Sequence, residues 1–142
     1  MMISTKGRYA LRVMLDLAEN QTDGYIPLRG IAQRQGISEK YLEMILPPLI
    51  KNNFLEGLRG KGGGYRLARE PKTYTIGSIL KLLENSMAPA ACLEGKNNSC
   101  GRAAECKTLP MWKKLYKMID DYFEGITLAD LCNGNLSKLR RK

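Results

Sequence analysis

Apolar residues recur at helical spacing in three consecutive segments near the start of the chain. The first segment follows Ser4 and Thr5, either of which can cap the N-terminus of a helix. Turn-forming residues 20–24 end this helix, and residues 25–27 predict a short extended link because the residue before a proline avoids the α-helical region. The apolar face of the helix comprises Ala10, Val13, Met14, Leu17 and Ala18.

A short second helix and a capped third helix come next. Leu28, Ile31 and Ala32 form the apolar face of the second helix, which ends at Gly36, and Ser38 is placed to cap the third. The third helix has apolar residues at Tyr41, Leu42, Ile45 and Leu46. Two helices joined by a glycine-containing turn are typical of a helix-turn-helix, although any small three-helix core could show this spacing.

Two adjacent prolines, Pro47 and Pro48, interrupt the third helix. Proline lacks a backbone N–H and clashes with the preceding turn, which costs about 3 kcal/mol inside a helix. We therefore expect a kink or break near Leu46, with Pro48 beginning a further turn.

Two strands joined by glycines are predicted after the third helix. The strands cover residues 53–59 and 65–69, and the joining residues 60–64 are all glycine except Lys61. A phosphate-binding P-loop is excluded because Gly62 stands where that motif needs Ser or Thr, and because the segment leads into a strand. A basic hairpin after a helix-turn-helix is instead a wing, predicted to place Arg59 and Lys61 along DNA phosphates or in a minor groove.

The C-terminal half contains a fourth helix, a cysteine-bearing loop and a long helix. Thr75 is placed to cap the fourth helix, which residues 87–89 end, and Thr108 to cap the long helix, whose first turn includes Pro110. A peripheral helix buries only one apolar stripe, so two stripes favour a dimer interface over a central helix of a monomer. The stripes of the long helix are Met111, Leu115, Met118 and Tyr122, and Trp112, Tyr116, Ile119 and Phe123.

The charge of the chain is concentrated in its first half and at its end. The formal net charge is +9. Residues 1–74 carry 12 basic and 7 acidic side chains, residues 75–137 carry equal numbers, and four basic residues follow. This distribution indicates a polyanionic partner for the winged part. Thr127 and Asp130 predict a capping box for a terminal turn, and residues 133–142 a flexible basic tail.

The composition narrows the chemistry. None of the 142 residues is histidine, which excludes Ser–His and Cys–His catalysis and histidine-bearing metal motifs. Without a membrane-length apolar run or a signal-peptide core, the sequence predicts a cytoplasmic protein, in which cysteines are more often metal ligands or redox groups than disulfides. Cys92, Cys100 and Cys106 lie in a loop without an apolar face, so something other than packing must order it.

These features predict a mainly α fold with a small β-hairpin wing. The predicted organisation is a winged helix-turn-helix DNA-binding domain at 1–74, a connecting helix at 75–90, a cysteine-bearing sensor loop at 91–107, a dimerisation helix with its terminal turn at 108–132, and the flexible tail.

Several motifs resemble the Rrf2 family of bacterial winged-helix regulators, which includes IscR-like, NsrR-like and CymR-like members. The resemblance covers about residues 1–132 and implies a homodimer bound to a palindromic operator, with the third helix in the major groove and the wing in the minor groove. The motifs are STKGRYA (4–10), GISEKYLE (36–43), RGKGGGY (59–65), the spaced cysteines and TLADL (127–131).

The resemblance also implies the residues that meet DNA. By position they are Ser38, Lys40, Tyr41 and Glu43 in the third helix, and Arg59, Gly60 and Lys61 in the wing. Lys40 is placed to contact a phosphate or a guanine edge, and Glu43 to accept a hydrogen bond from cytosine N4. Tyr41 is as much a candidate for helix packing as for DNA contact, whereas Leu42 and Ile45 belong to the core.

Cluster-bearing members of the family hold an iron–sulfur cluster with three cysteines and one other ligand, and Cys92, Cys100 and Cys106 match that set. The cluster type, 2Fe-2S or 4Fe-4S, stays open. So does the fourth ligand, since Leu109 stands where IscR-like members have a histidine and Arg8 where NsrR-like members have an acidic residue. The remaining candidates are Glu105, Glu94, Asp16, water or a small thiol, while Cys132 is interpreted as a small buried apolar residue.

The leading hypothesis is a dimeric DNA-binding regulator controlled by an iron–sulfur cluster that senses redox state, iron–sulfur status or nitric oxide. An alternative keeps the fold without the cluster and places control with thiol oxidation or with a partner metabolic enzyme, for example of cysteine metabolism. A zinc-stapled interaction module is disfavoured because paired Cys-x-x-Cys spacing is absent. No acid–base or nucleophile constellation indicates an enzyme.

Overall fold

Helices and one two-stranded hairpin make up the residues that this computed structural model describes, 2–95 and 100–135. The mainly α fold with a β-hairpin is as predicted. Residues 96–99 of the predicted loop and 136–142 of the predicted tail lie outside the described residues. The elements are α1 (Thr5–Glu19), α2 (Leu28–Gln35), α3 (Glu39–Lys51), β1 (Leu55–Leu58), β2 (Gly64–Leu67), α4 (Ile76–Leu83), α5 (Leu109–Glu124) and α6 (Leu128–Cys132).

Side-chain caps fix the starts of the helices that set up the helix-turn-helix. The hydroxyl oxygens of Ser4 and Ser38 accept hydrogen bonds from backbone N–H groups in the first turns of α1 and α3, at 3.0 and 3.1 Å. Thr75 caps α4 in the same way. Gly36 ends α2 in the left-handed conformation, with φ 64°. These four predicted positions are confirmed.

The start of α5 is at the predicted position but lacks the predicted capping bond. Thr108 is the N-cap residue and Pro110 lies in the first turn, but the Thr108 side chain makes no cap hydrogen bond. The Thr108 hydroxyl instead lies 3.2 Å from the sulfur of Cys106. The predicted capping box of α6 is present, with hydrogen bonds in both directions between Thr127 and Asp130.

Of the kink or break predicted near Leu46, the break is wrong, because α3 is continuous from Glu39 to Lys51. The prolines withhold the N–H groups that would bond to the carbonyls of Glu43 and Met44, two exposed residues. The buried side of the helix spans both halves and holds them in the core, so packing outweighs the local cost. Its residues, each at most 1% exposed, are Leu42, Ile45, Leu46 and Leu49.

One apolar cluster joins the two halves of the chain. Met14 of α1 lies in it with Leu42 of α3, Leu55 of β1, Ile79 of α4 and Leu128 of α6. Because α1 packs against elements from both halves, the C-terminal helices and the helix-turn-helix share one core. Within residues 2–95 and 100–135, no helix is both long and apolar enough to cross a membrane.

The hairpin is antiparallel, with Leu55 opposite Leu67 and Leu58 opposite Gly64. Its strands differ from the predicted bounds by one or two residues at each end. The first strand begins late because Asn53 has φ 62° and turns the chain out of α3.

Gly64 lets the hairpin return close to the core. Its φ is 146°, and a Cβ at this position would lie 2.1 Å from the carbonyl oxygen of Ile26. The close approach permits two backbone hydrogen bonds of 2.8 Å between Ile26 and Tyr65, which tie the hairpin to the link before α2.

Gly64→Ala is expected to lower the free energy of unfolding by about 2–4 kcal/mol. The added Cβ forces Ile26 and Tyr65 apart, and an alanine is strained in the backbone conformation of this position. Urea unfolding followed by circular dichroism measures the loss. Gly24→Ala is the matched control, since nothing lies within 4 Å of the Cβ it adds. Equal stability of the two variants would contradict this account of the hairpin.

Candidate nucleic-acid interface and cysteine loop

The N-terminal half of α3 presents a polar face to solvent. Ser38, Lys40 and Glu43 are exposed, while Leu42 and Ile45 are fully buried on the opposite side. The buried pair fixes the rotation of the helix about its axis, so Lys40 and Glu43 share one outward surface, while Ser38 lies at the N-cap. The core assignment of Leu42 and Ile45 is confirmed.

Tyr41 is half-buried and packs against α1. Its ring meets that of Tyr9 edge to face, with centroids 5.4 Å apart. Arg12 lies 5.2 Å from the Tyr9 ring centroid and donates hydrogen bonds to both the side chain and the backbone carbonyl of Gln35. The contacts favour the packing interpretation of Tyr41. They also place Arg12 beside the helix-turn-helix, a position that sequence reasoning missed because it depends on the contact with Gln35 across 23 positions of the chain.

The wing tip is closed by glycine and carries two exposed cations. Gly60 has φ 89°, and its carbonyl accepts a hydrogen bond of 3.0 Å from the N–H of Gly63. Arg59 and Lys61 flank Gly60 and are exposed. The tip therefore presents positive charge on a backbone narrow enough to approach a groove.

Arg66, at the base of the hairpin, has protein partners of its own. Its guanidinium pairs with Glu56 at 2.8 Å and lies 4.3 Å from the ring centroid of Tyr25. Arg66 therefore supports the hairpin, while Arg59 and Lys61 supply the charge of its tip.

The three loop cysteines lie on different local elements. Cys92 is in a 3₁₀ turn (Ala91–Leu93), Cys100 is exposed, and Cys106 follows a second 3₁₀ turn (Ala103–Glu105) directly before α5. Among the described residues, no three His, Cys, Asp or Glu side chains are close enough together to hold a metal ion. The predicted set of thiolate ligands therefore stays a prediction.

The chemistry of Cys106 nevertheless fits a metal ligand. Its pKa is lowered by a side-chain hydrogen bond with Thr108 and by hydrogen bonds from the backbone N–H groups of Thr108 and Leu109. Thiolates, rather than thiols, bind soft metals and iron–sulfur clusters. Cys132 has the opposite environment, because partial burial in α6 raises its pKa.

Thr108→Val is expected to move the pH profile of Cys106 alkylation to higher pH in metal-free protein. A lowered pKa means that the thiolate forms at lower pH than in an ordinary cysteine, and loss of the Thr108 hydroxyl removes the largest cause of that shift. Alkylation rates over a pH series, read by mass spectrometry of the Cys106 peptide, give the result. Cys132 is the internal control and should react slowly in both proteins; an unchanged Cys106 profile would contradict the role of Thr108.

Asp16, one candidate for the fourth ligand, already binds two side chains of α2, the second helix of the fold. Its carboxylate accepts hydrogen bonds of 2.7 and 2.9 Å from Arg34 and one of 2.9 Å from Gln35. The Asp16 side chain is 1% exposed and the Arg34 side chain 40%, so the buried carboxylate of α1 is held by a partly exposed cation of α2. Glu94 and Glu105, both exposed in the loop, are then the carboxylate candidates.

One apolar stripe of α5 is packed in part, through Tyr116 and Phe123, and the other faces solvent. Tyr116 and Phe123 contact a buried cluster formed by Ile76, Leu80, Met87 and Ile126. The outward stripe consists of Met111 (54% exposed), Leu115 (38%), Met118 (59%) and Tyr122 (41%). A continuous line of exposed apolar side chains marks an interaction surface.

A helix-turn-helix with a polar outward helix, followed by a hairpin with a basic tip, defines a winged-helix DNA-binding protein. The model of the Rrf2 family, described as an iron-dependent transcriptional regulator, matches residues 3–134. The chain belongs to the Rrf2 family of transcriptional regulators.

Individual relatives agree with this assignment. The helix-turn-helix-type transcriptional regulator IscR of Yersinia enterocolitica is 38% identical over 133 residues, covering 94% of this chain and 80% of the relative. The structure of CymR, the global cysteine regulator of B. subtilis, is similar with a TM-score of 0.76 at 32% identity, covering 94% of this chain and 98% of that chain. T. potens IscR is similar with a TM-score of 0.73 at 34% identity, covering 100% and 93%. These relatives are transcriptional regulators rather than enzymes.

Proposed function

We propose that the protein is a homodimeric regulator that binds a palindromic operator under the control of an iron–sulfur cluster held by Cys92, Cys100 and Cys106. The observation that supports this most is the position of Cys106. Its stabilised thiolate stands directly before α5, the helix with the exposed apolar stripe. When bound, the cluster supplies chemistry that responds to redox state, to iron–sulfur supply or to nitric oxide.

DNA binding is assigned to α3 and the wing. Lys40 and Glu43 face the major groove, where Lys40 contacts a phosphate or guanine and Glu43 accepts from cytosine N4. Arg59 and Lys61 contact phosphates or the minor groove, and the backbone at Gly60 approaches closely. All five residues are exposed.

Two carboxylates connect α5 with the α4 segment, and α4 with the start of α1. Glu84, at the end of α4, accepts hydrogen bonds of 2.8 and 2.9 Å from the backbone N–H and hydroxyl of Ser4 at the start of α1. Glu124, at the end of α5, accepts hydrogen bonds from Thr75 (2.9 Å) and Lys81 (3.0 Å) of the α4 segment. A displacement of α5 therefore reaches α1 through α4, and a coupling free energy of about 1–3 kcal/mol suffices for control.

A second candidate function keeps the DNA-binding half and replaces the cluster with a thiol switch or a partner enzyme. It is favoured by the similarity to CymR. It predicts operator binding that is independent of iron.

Lys61→Ala is expected to weaken binding to all DNA sequences and to reduce the slope of log affinity against log salt by about 1 per subunit, because it removes a phosphate contact. Glu43→Ala is expected instead to reduce the preference for cytosine over other bases at the position that Glu43 contacts. Fluorescence anisotropy over a salt series, on a duplex selected from random DNA by the wild type, measures both. Lys72→Ala is the matched control, since this exposed cation pairs with Glu70 at 3.2 Å; equal effects of the two lysine variants would argue against the wing.

A further inference from the structure

Met44 is a large apolar side chain on the outward face of α3. It is 58% exposed, although the residues that follow it, Ile45 and Leu46, are buried. Lys40 lies one helical turn before Met44 and Pro47 one turn after, and both are exposed. Because α3 is continuous through the prolines, Met44 belongs to the same outward surface as Lys40 and Glu43.

The positive charges around Met44 indicate that DNA covers this surface. Lys40 on the same helix, and Arg59 and Lys61 on the wing, are suited to phosphates. Glu43 and Met44 cannot bind a phosphate, so on a surface that meets a polyanion they face base edges. In the major groove thymine alone presents a methyl group, and apolar side chains recognise thymine by contact with it.

The side chain of methionine suits this contact. It is unbranched and flexible, so it can reach a methyl group without demanding one backbone position. Apolar surface also continues beside it, because Pro47 and Leu58 line a cleft between α3 and the hairpin, and Leu58 is 48% exposed.

We propose that Met44 determines part of the operator specificity by packing against the 5-methyl group of a thymine in each half-site. The inference rests on the proposed DNA binding and extends it to a particular base. Burial of one methyl group corresponds to about a fourfold change in affinity, and a palindrome contacted twice gives about a fifteenfold change.

Deoxyuridine tests this contact, because it differs from thymine only by the missing methyl group. A duplex selected from random DNA by the wild-type protein is resynthesised with each symmetric pair of thymines replaced by uracil in turn. The wild type is expected to lose about fifteenfold in affinity at one pair. Met44→Ala is expected to bind the thymine and uracil versions of that pair equally.

Met2→Ala is the control, since Met2 is also an exposed methionine (88% against 58%) but precedes α1. It should keep the full discrimination between thymine and uracil. A selected half-site without thymine, affinity indifferent to uracil, or discrimination that survives Met44→Ala overturns the inference and leaves the proposed function intact. Failure to select any sequence overturns the proposed function, and the inference with it.

Discussion

Cys106→Ala is expected to abolish the visible absorption of anaerobically isolated protein and to remove its bound iron and sulfide. A cluster held by three thiolates and one weaker ligand loses a main attachment when one thiolate is deleted. Cys106 is the first cysteine to replace, because its hydrogen bonds with Thr108 lower its pKa and favour the thiolate that binds iron. Cys92→Ala and Cys100→Ala should give the same loss.

Cys132→Ala is the matched control for cysteine removal. Burial raises the pKa of Cys132, and the residue lies in α6, beyond the loop. This variant should retain the iron and sulfide of the wild type. Full iron and sulfide in Cys106→Ala, or a wild type that stays colourless after cluster assembly in vitro, would contradict the ligand set. Zinc without iron in fresh protein would support the zinc-stapled module instead.

Met118→Glu is expected to convert the proposed dimer into a monomer and to weaken operator binding by about 100-fold or more. Met118 is 59% exposed within the outward stripe of α5, and a carboxylate buried there in a dimer interface without a partner is unfavourable by several kcal/mol. A monomer also loses the gain from contacting two linked half-sites. Light scattering measures the mass, and anisotropy measures the affinity.

Lys113→Glu is the control for added negative charge on α5. At 100° per residue, Lys113 lies on the polar side of the helix, away from Met118. It should leave the protein dimeric. A dimeric Met118→Glu variant, or monomers from both substitutions, would contradict the assignment of the outward stripe as the dimer interface.

Local rules were sufficient for the helix starts at Ser4, Ser38 and Thr75, because a cap depends on a hydroxyl and the backbone two or three residues away. They failed where packing against distant parts of the chain, or a competing hydrogen-bond partner, determines the local structure. Packing of the buried side of α3 overrides Pro47 and Pro48, and the sulfur of Cys106 engages the hydroxyl expected to cap α5.

Some features of the candidate site likewise follow from local sequence patterns, and others depend on tertiary contacts. The exposure of Lys40 and Glu43 followed from helical periodicity, because the buried positions fix the outward ones. The role of Arg12 beside Tyr9, and the bond from Ser4 to Glu84 across 80 positions of the chain, depend on tertiary contacts that no local pattern encodes. The arrangement of the cysteine loop belongs to this second group, since the loop has no periodicity to constrain it.

The central claim is that the metal centre controls DNA binding. Its most direct test is the affinity of one anaerobic preparation for the selected duplex, measured before and after chelation removes the iron. We predict a change of about tenfold or more, within the usual range of allosteric coupling, and no change in a variant with Cys92, Cys100 and Cys106 all replaced by serine. Equal affinities with and without iron, or an iron response that survives the triple substitution, would contradict it.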